Sequence, residues 1–209
     1  MIFLADDYIC KYQEALTAVI YVGCKMNFSP FYIERSISYS KTFSEFEKSN
    51  VTLIAFSSID ETIKDIYHND QRLCSNDYDI YDEYGWLGYI YIKLFFSLNT
   101  TFENLFVVLP IEDALSKYRI YHEMDFSQIE DYVKTKFEYS YLNMHMKKQK
   151  ISTSELAKAS GVNESTIRAI RYGKRDPNKL DLINAMKLSE ALHIKTESIA
   201  NDISLVFQK

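Results

Sequence analysis

The sequence predicts a mainly α-helical protein with an acidic, aromatic-rich helical N-terminal domain, residues 1–136, and a smaller basic helical domain, residues 137–209. Five Gly and three Pro in 209 residues are too few for the many tight turns of a β-sandwich or barrel. Apolar residues recur at helical spacing behind polar capping residues. Charge is uneven: residues 141–209 carry 12 Lys/Arg and 7 Asp/Glu, giving +5, while residues 1–140 carry 12 and 22, giving −10. This asymmetry is typical of a basic module attached to an acidic body.

Successive helices are predicted in the first part of the N-terminal domain. The stretch DDYICKYQEALTAVIYVGCKM has a helical apolar period, which predicts a helix over about residues 7–26. Ser29-Pro30 is a helix-entry pair, and residues 59–73 predict a further helix. The segment VTLIAFSS, residues 51–58, is either a strand or a buried segment, because periodicity does not separate the two. The acidic run CSNDYDIYDEYG predicts an exposed loop.

From Gly85 onward the helical signals become strong. WLGYIYIKLFFSLN is apolar on nearly all sides, which predicts a buried central helix, and its eleven-residue apolar part is shorter than the about 18 residues of a membrane span. Thr100 and Glu103 have capping-box spacing, and Leu109-Pro110 ends one helix and begins the next. Asp125 precedes a stretch without Pro or Gly that extends to Ile151. This stretch predicts either one long helix or two nearly abutting helices.

The motifs of common enzyme and metal-site classes are missing from the sequence. His122 and Glu123 lack a second His four residues on, and there is no Gly-rich phosphate loop and no nucleophile motif. Cys10, Cys24 and Cys74 are odd in number and lack metal-type spacing, which predicts buried thiols in a reducing cytosol. The N-terminus has no signal-peptide pattern. The sequence therefore predicts a cytoplasmic protein that is not an enzyme, with no catalytic residues, no metal site and no cofactor.

The stretch STSELAKASGVNESTIRAIRYGKR, residues 152–175, predicts two short helices joined by a tight turn. Ser152 and Glu155 form a capping box that opens the first helix. Gly161 suits the left-handed residue that ends this helix, and Asn163 is a good N-cap for the next one. The order of these signals is that of a helix-turn-helix.

The second of these helices has two different sides. Ile167 and Ile170 are three residues apart and are predicted to face the core, which turns Ser165, Thr166 and Arg168 away from it. KLDLINAMKLSEALHI predicts a further amphipathic helix, and KTESIAND predicts a short last one. The apolar residues expected to cover the helix pair are Leu180, Ile183, Met186, Leu188 and Leu192.

The segment from about Leu142 to Asn201 resembles the Cro/C1-type, or XRE, family of DNA-binding domains. The motifs that carry the resemblance are STSELAKASGV, STIRAIRYGKRDP and LINAMKLSEALHI, with Gly161, Gly173 and Pro177 at the spacing of the family. The resemblance implies a five-helix, lambda-repressor-like domain whose third helix enters the major groove of double-stranded DNA. It also implies a role in transcription regulation. Some domains of this family act instead as protein docking modules, which is the alternative.

The resemblance implies a set of DNA-contacting residues on the second and third helices of that domain and on the turn after them. They are Thr153, Ser154, Asn163, Glu164, Ser165, Thr166, Arg168, Arg171, Lys174 and Arg175. Among them, Glu164 is suited to a cytosine amine and Arg168 to a guanine edge. The cations Arg171, Lys174 and Arg175 are suited to phosphates.

Two of these positions depart from the usual family pattern. Members usually have Gln where this chain has Thr153, and Glu where it has Arg171. Members also often have Arg in the first helix, where this chain has Met146, so a familiar ion pair within the domain is expected to be missing. Arg171 is then expected to be free for DNA.

The N-terminal domain has a second, less specific resemblance. YGWLGYIYIKLFFSLNTTFENLFVVLPIEDALSKYRIYHEMDFSQI is similar to the amino-terminal part of bacterial regulators that carry a C-terminal XRE domain and are often encoded beside small toxin-like genes. This resemblance implies an autoregulating antitoxin that binds a toxin-like protein partner. The protein is expected to act as a homodimer, because helix-turn-helix proteins gain affinity on palindromic sites. The alternative is a one-component repressor whose N-terminal domain senses a small-molecule ligand.

Overall fold

The computed structural model describes residues 6–48, 58–68 and 82–200, and in these ranges all regular structure is helical. The prediction of a mainly α-helical protein is therefore confirmed. Residues 51–57 of the undecided stretch and residues 74–81 of the acidic run CSNDYDIYDEYG lie outside the described residues. The loop prediction is wrong for residues 83–85, the end of that run, which are helical. In the described part, no helix has the length and hydropathy needed to cross a membrane. The helices are α1 (Asp6–Lys25), α2 (Pro30–Tyr39), α3 (Lys41–Glu47), α4 (Ile59–Tyr67), α5 (Glu83–Leu98), α6 (Phe102–Val108), α7 (Ile111–Tyr121), α8 (Phe126–Lys136), α9 (Tyr141–Gln149), α10 (Thr153–Ser160), α11 (Glu164–Arg171), a 3-10 turn (Pro177–Lys179), α12 (Leu182–Leu192) and α13 (Thr196–Ala200).

The chain divides into two compact units. Unit 1 contains Met1–Leu94 and Pro110–Phe126, and unit 2 contains Phe95–Leu109 and Ser127–Lys209. Helix α6 thus belongs with the C-terminal helices, although it precedes α7 of unit 1 in the sequence. The functional division at residue 137 stays a prediction.

In unit 1, serine side chains set where helices begin. Ser29 precedes Pro30, and its hydroxyl accepts a hydrogen bond from the Tyr32 N–H at 3.2 Å. Ser40 ends α2 and caps α3 by accepting from the Phe43 N–H. Ser58 and Glu61 form a capping box at the start of α4. These caps satisfy helix N–H groups that have no partner within the helix.

A close approach to α1 requires glycine in α5. A Cβ atom at Gly88 would lie 2.1 Å from the Thr17 hydroxyl oxygen and 2.8 Å from the carbonyl oxygen of Gln13. The Thr17 hydroxyl is itself fixed, because it donates to that carbonyl at 2.8 Å. The buried residues of α1 include Tyr12 and Leu16, both fully inaccessible. Any side chain at position 88 would therefore force the two backbones apart.

A buried carboxylate caps α7 in unit 1. Pro110 occupies the N-cap position and offers no capping side chain. Glu34 of α2, which is only 5% exposed, accepts a hydrogen bond from the Ile111 N–H at 2.9 Å. The positive end of the helix favours a negative charge at this place.

The prediction that the cysteine thiols are buried is wrong for Cys10 of α1, which is exposed, while Cys24 is half-buried.

In unit 2, the long stretch after Asp125 forms two abutting helices, which was one of the two predicted alternatives. Tyr139 has a left-handed backbone with φ of 63°, which interrupts the helical path between α8 and α9. Ser140 then caps α9 by accepting from the Asn143 N–H at 3.1 Å. The break therefore needs neither Pro nor Gly.

The core of unit 2 is an apolar cluster between α9, α10, α11, α12 and α13. Its members are Leu142, Met146, Leu156, Val162, Ile167, Ile170, Leu188, Leu192 and Ile199. Leu180 packs against this cluster while half-buried. The prediction that Ile183 and Met186 cover the helix pair is wrong, because they are 66% and 45% exposed. Both lie on the side of α12 that faces away from Leu188 and Leu192.

Buried polar side chains join α6 to the helices of the C-terminal segment. Asn104 is fully buried, and its amide donates to the carbonyl oxygen of Ser198 at 2.9 Å. Its side-chain oxygen lies 2.8 Å from Nε2 of His145, so this nitrogen carries the hydrogen and donates. Burial, with a smaller contribution from Lys148, lowers the pKa of His145 to about 3. The imidazole is therefore neutral at physiological pH.

Glu103 of α6 reinforces the same connection. Its carboxylate accepts from the Lys195 N–H at 2.8 Å and from the hydroxyl of Ser198. Thr101 caps α6, and its hydroxyl also lies 3.2 Å from that of Ser198. The polar groups of α6 thus find partners at the start of α13, which makes α6 part of the structure that supports the C-terminal helices.

Candidate nucleic-acid interface

Helices α10 and α11 form the predicted helix-turn-helix. The Ser152 hydroxyl accepts from the Glu155 N–H, and the Glu155 carboxylate accepts from the Ser152 N–H at 2.8 Å. The hydrogen bonds with Ser152 lower the pKa of Glu155. Gly161 ends α10 with φ of 69°, and its N–H donates to the Ala157 carbonyl. A left-handed residue at this place turns the chain sharply toward α11.

Helix α11 is fixed at its start by Asn163 and along one side by the core. The side-chain oxygen of Asn163 accepts from the N–H of Ser165 at 2.9 Å and from its hydroxyl at 2.7 Å. Ile167 and Ile170 are fully buried. This burial sets the rotation of α11 about its axis and therefore decides which side chains face outward.

The outward side of α11 holds most of the predicted base-reading residues. Asn163, Ser165 and Arg168 are exposed, and Glu164 and Thr166 are half-buried. Nη2 of Arg168 donates to Oε1 of Glu164 at 2.6 Å. The pair presents a cationic donor fork and a carboxylate acceptor side by side, and these are the groups that hydrogen-bond guanine and cytosine edges in the major groove.

A shallow concavity of about 320 Å³ lies on this same outward side. It is lined by Glu164, Ser165, Arg168, Ala169 and Lys174. Ala169 was missed by the sequence analysis, although its position four residues after Ser165 places it on the same helix face. Its methyl group is a suitable contact for the methyl of thymine.

The remaining predicted cations follow α11 in a tight turn. Gly173 has φ of 66°, and the N–H groups of Lys174 and Arg175 donate to the carbonyl of Ala169 at 2.8 and 3.1 Å. Both side chains are exposed, as is Ser154 at the start of α10. Exposed cations next to an outward-facing helix are suited to neutralising phosphates.

Thr153 and Arg171 are placed differently from the other predicted residues. Thr153 is 8% exposed, and its hydroxyl accepts from Nη1 of Arg171 at 2.8 Å. Nε of Arg171 donates to the side-chain oxygen of Asn143 in α9 at 2.9 Å. Arg171 is therefore not free, contrary to expectation. Arg171 ties the end of α11 to α9 and α10 through hydrogen bonds to two neutral side chains. These hydrogen bonds stand where other family members are expected to have an ion pair.

Within residues 6–48, 58–68 and 82–200, no three His, Cys, Asp or Glu side chains are grouped so that they could hold a metal ion. The arrangement presents hydrogen-bond donors and acceptors on a fixed helix face, with exposed cations beside it. Such a surface is suited to duplex DNA, because the cations can contact backbone phosphates and the helix face can hydrogen-bond base edges.

Comparison with known proteins agrees with this geometry. Residues 141–203 match the family model of the Cro/C1-type HTH DNA-binding domain, and this range contains the five helices α9 to α13. No curated protein and no solved structure matches the chain. The segment is a Cro/C1-type helix-turn-helix DNA-binding domain, and the chain that carries it is a DNA-binding transcriptional regulator.

Proposed function

We propose that this regulator is a cytoplasmic, sequence-specific repressor that binds palindromic operators as a homodimer. The observation that carries the proposal is the outward side of α11. There, Nη2 of Arg168 lies 2.6 Å from Oε1 of Glu164, and Ser165 and Ala169 line the same concavity. In the groove, the guanidinium of Arg168 donates to a guanine, and the carboxylate of Glu164 accepts from a cytosine amine. Lys174 and Arg175 bind phosphates and hold the helix in register.

Thr153 and Arg171 support recognition indirectly in this proposal. Their mutual hydrogen bond and the bond from Arg171 to Asn143 hold α11 against α9 and α10. A helix that is held rigidly presents its outward side chains with little loss of conformational freedom on binding. The role of both residues is therefore to position α11.

Two substitutions separate base reading from phosphate binding. Arg168→Ala is expected to relax the preference at one base pair and to cost about 1–3 kcal/mol on the preferred site. Lys174→Ala is expected to weaken binding to all duplexes alike and to reduce the dependence of affinity on salt. Selection from a randomised duplex pool, followed by titration of the selected duplex at several salt concentrations, measures both effects.

Each variant is the control for the other, because both remove a cation from the same exposed surface. An unchanged selected sequence for Arg168→Ala would contradict its assignment to a base. A loss that depends on sequence would contradict the phosphate role of Lys174. If the wild-type chain enriches no sequence at all, the proposal of sequence-specific binding is wrong.

We further propose that unit 1 binds a toxin-like protein, so that the chain acts as an autoregulating antitoxin. An aromatic stripe on α2 supports a protein partner: Phe31, Tyr32 and Tyr39 are 59%, 44% and 44% exposed. The guanidinium of Arg35 lies between them in sequence, 5.0 Å from the ring centroid of Tyr39. Aromatic residues and Arg dominate the binding energy of protein interfaces.

The antitoxin proposal predicts that the chain neutralises the product of an adjacent small reading frame. Replacing both Phe31 and Tyr39 with Ala is expected to abolish copurification of the two proteins, because the stripe then loses two large anchors. Ile120→Ala, at the end of α7 and 54% exposed, is the matched control. Copurification that survives the double substitution would exclude this surface, and an adjacent product that never binds would exclude the antitoxin role.

A further inference from the structure

The first half of α12 presents large apolar side chains outward. Leu182, Ile183 and Met186 are 68%, 66% and 45% exposed. They occupy one side of the helix, because Ala185, Leu188, Ser189 and Leu192 on the opposite side are buried. Contiguous exposed apolar side chains on a helix mark a surface that binds a partner.

Charged residues surround this apolar face in a particular order. Lys179 and Asp181 precede it, and Lys187 and Glu190 follow it on the same outward side, all four being exposed. Asp181 caps α12, and hydrogen bonds from Asn184 lower its pKa, so it is ionised at neutral pH. Among the described residues, Lys179, Lys187 and Glu190 make no ion pair. Each end of the face therefore carries one positive and one negative charge.

We infer that this face binds a second copy of the chain, with the two α12 helices antiparallel about a two-fold axis near Asn184. Such an axis places Ile183 opposite Met186 of the other copy and joins the apolar residues at the centre. It also brings Lys179 toward Glu190 of the other copy, and Asp181 toward Lys187. Every charge thus meets an opposite one, as a two-fold interface requires of a single surface.

This inference rests on the proposed function, since it names the surface through which the proposed homodimer forms. The face is small, so the dimer is expected to be weak and to be strengthened when two copies occupy adjacent half-sites on DNA. Because only a short stretch with the 3-10 turn Pro177–Lys179 separates α12 from the turn of Lys174 and Arg175, pairing of α12 also fixes the spacing between two α11 helices.

Sedimentation equilibrium of the full chain without DNA tests the interface. The wild-type chain is expected to dimerise, and Ile183→Asp to weaken the dimer at least about 10-fold, because a buried unpaired charge is costly. Ile120→Asp is the control, since Ile120 is similarly exposed at 54% but lies on α7. Both substitutions are on the surface, so neither is expected to prevent folding.

A charge exchange tests the antiparallel geometry. Lys179→Glu alone and Glu190→Lys alone each place like charges opposite each other, and each is expected to weaken the dimer about 3-fold or more. The double variant restores opposite charges and is expected to return to within about 2-fold of wild type. A chain that stays monomeric at all concentrations, or a dimer unaffected by Ile183→Asp, overturns the inference. Failure of the double variant to rescue overturns the geometry.

The sedimentation result does not depend on DNA binding, so the two proposals fail separately. Titration of the Ile183→Asp variant on the selected duplex cut to one half-site is expected to match wild type, because α11 is unchanged. If the wild-type chain binds no duplex, the proposed function is wrong, while sedimentation still decides whether α12 forms an interface.

Discussion

Replacing Asn104 with Ala is expected to lower the free energy of unfolding of unit 2 by about 3–5 kcal/mol. The substitution leaves the Nε2–H of His145 and the carbonyl of Ser198 without their partner in a fully buried place. Each unsatisfied buried group costs about 1–3 kcal/mol, and the cavity adds to this cost. Hydrogen exchange of the α9 and α11 amides, followed by mass spectrometry, reports the local free energy of opening.

Asn178→Ala is the matched control, because Asn178 is an exposed asparagine in the 3-10 turn of the same unit. It is expected to change stability by less than about 0.5 kcal/mol. Equal protection of α9 and α11 in wild type and Asn104→Ala would show that α6 is not needed for the stability of the DNA-binding helices. Loss of protection in both helices would show that it is.

Acid is expected to destabilise unit 2 through His145. The pKa of an unfolded His is about 6.5, and burial lowers that of folded His145 to about 3. Between these values the unfolded chain binds a proton that the folded chain does not, so the free energy of unfolding falls as the pH falls. The contribution is fully present above about pH 6.5 and decreases by about 1.4 kcal/mol per pH unit below it.

His145→Gln isolates this effect, because a Gln amide can still donate to Asn104 but does not titrate. The variant is expected to be less stable than wild type at pH 7, and the difference should shift in its favour by about 3 kcal/mol by pH 4. Urea unfolding at a series of pH values measures the difference. His122→Gln controls for the loss of an imidazole elsewhere. Parallel stability curves for wild type and His145→Gln would contradict a buried neutral His145.

The helix-turn-helix was predictable because its signals are local. Ser152, Glu155, Gly161 and Asn163 act on backbone groups within four residues of themselves, and each is a cap in the structure as predicted. The outward position of Arg168 follows from the burial of Ile167 and Ile170, which periodicity also indicates.

Longer-range features escaped the sequence analysis for the same reason. The hydrogen-bond partners of Arg171, Thr153 and Asn143, are 18 and 28 residues away in the sequence. No local sequence pattern predicts contacts at these separations. Helix α6 lies in unit 2 because Asn104 and Glu103 bond to residues more than 90 positions later. Ile183 fits a core position by residue type alone, and only the packing of α12 shows that the core uses the other side.

The distance between Asn104 and Ser198 has a consequence for synthesis of the chain. Asn104 leaves the ribosome 41 residues before His145 and 94 residues before Ser198. At a synthesis rate of about 5–20 residues per second, roughly 5 to 20 seconds pass between the synthesis of Asn104 and that of Ser198. During this interval the side chain of Asn104, which is fully buried in the finished protein, lacks its hydrogen bond to the carbonyl of Ser198. Translation that stops before α13 therefore leaves the polar side chains of α6 without the partners that Lys195 and Ser198 provide.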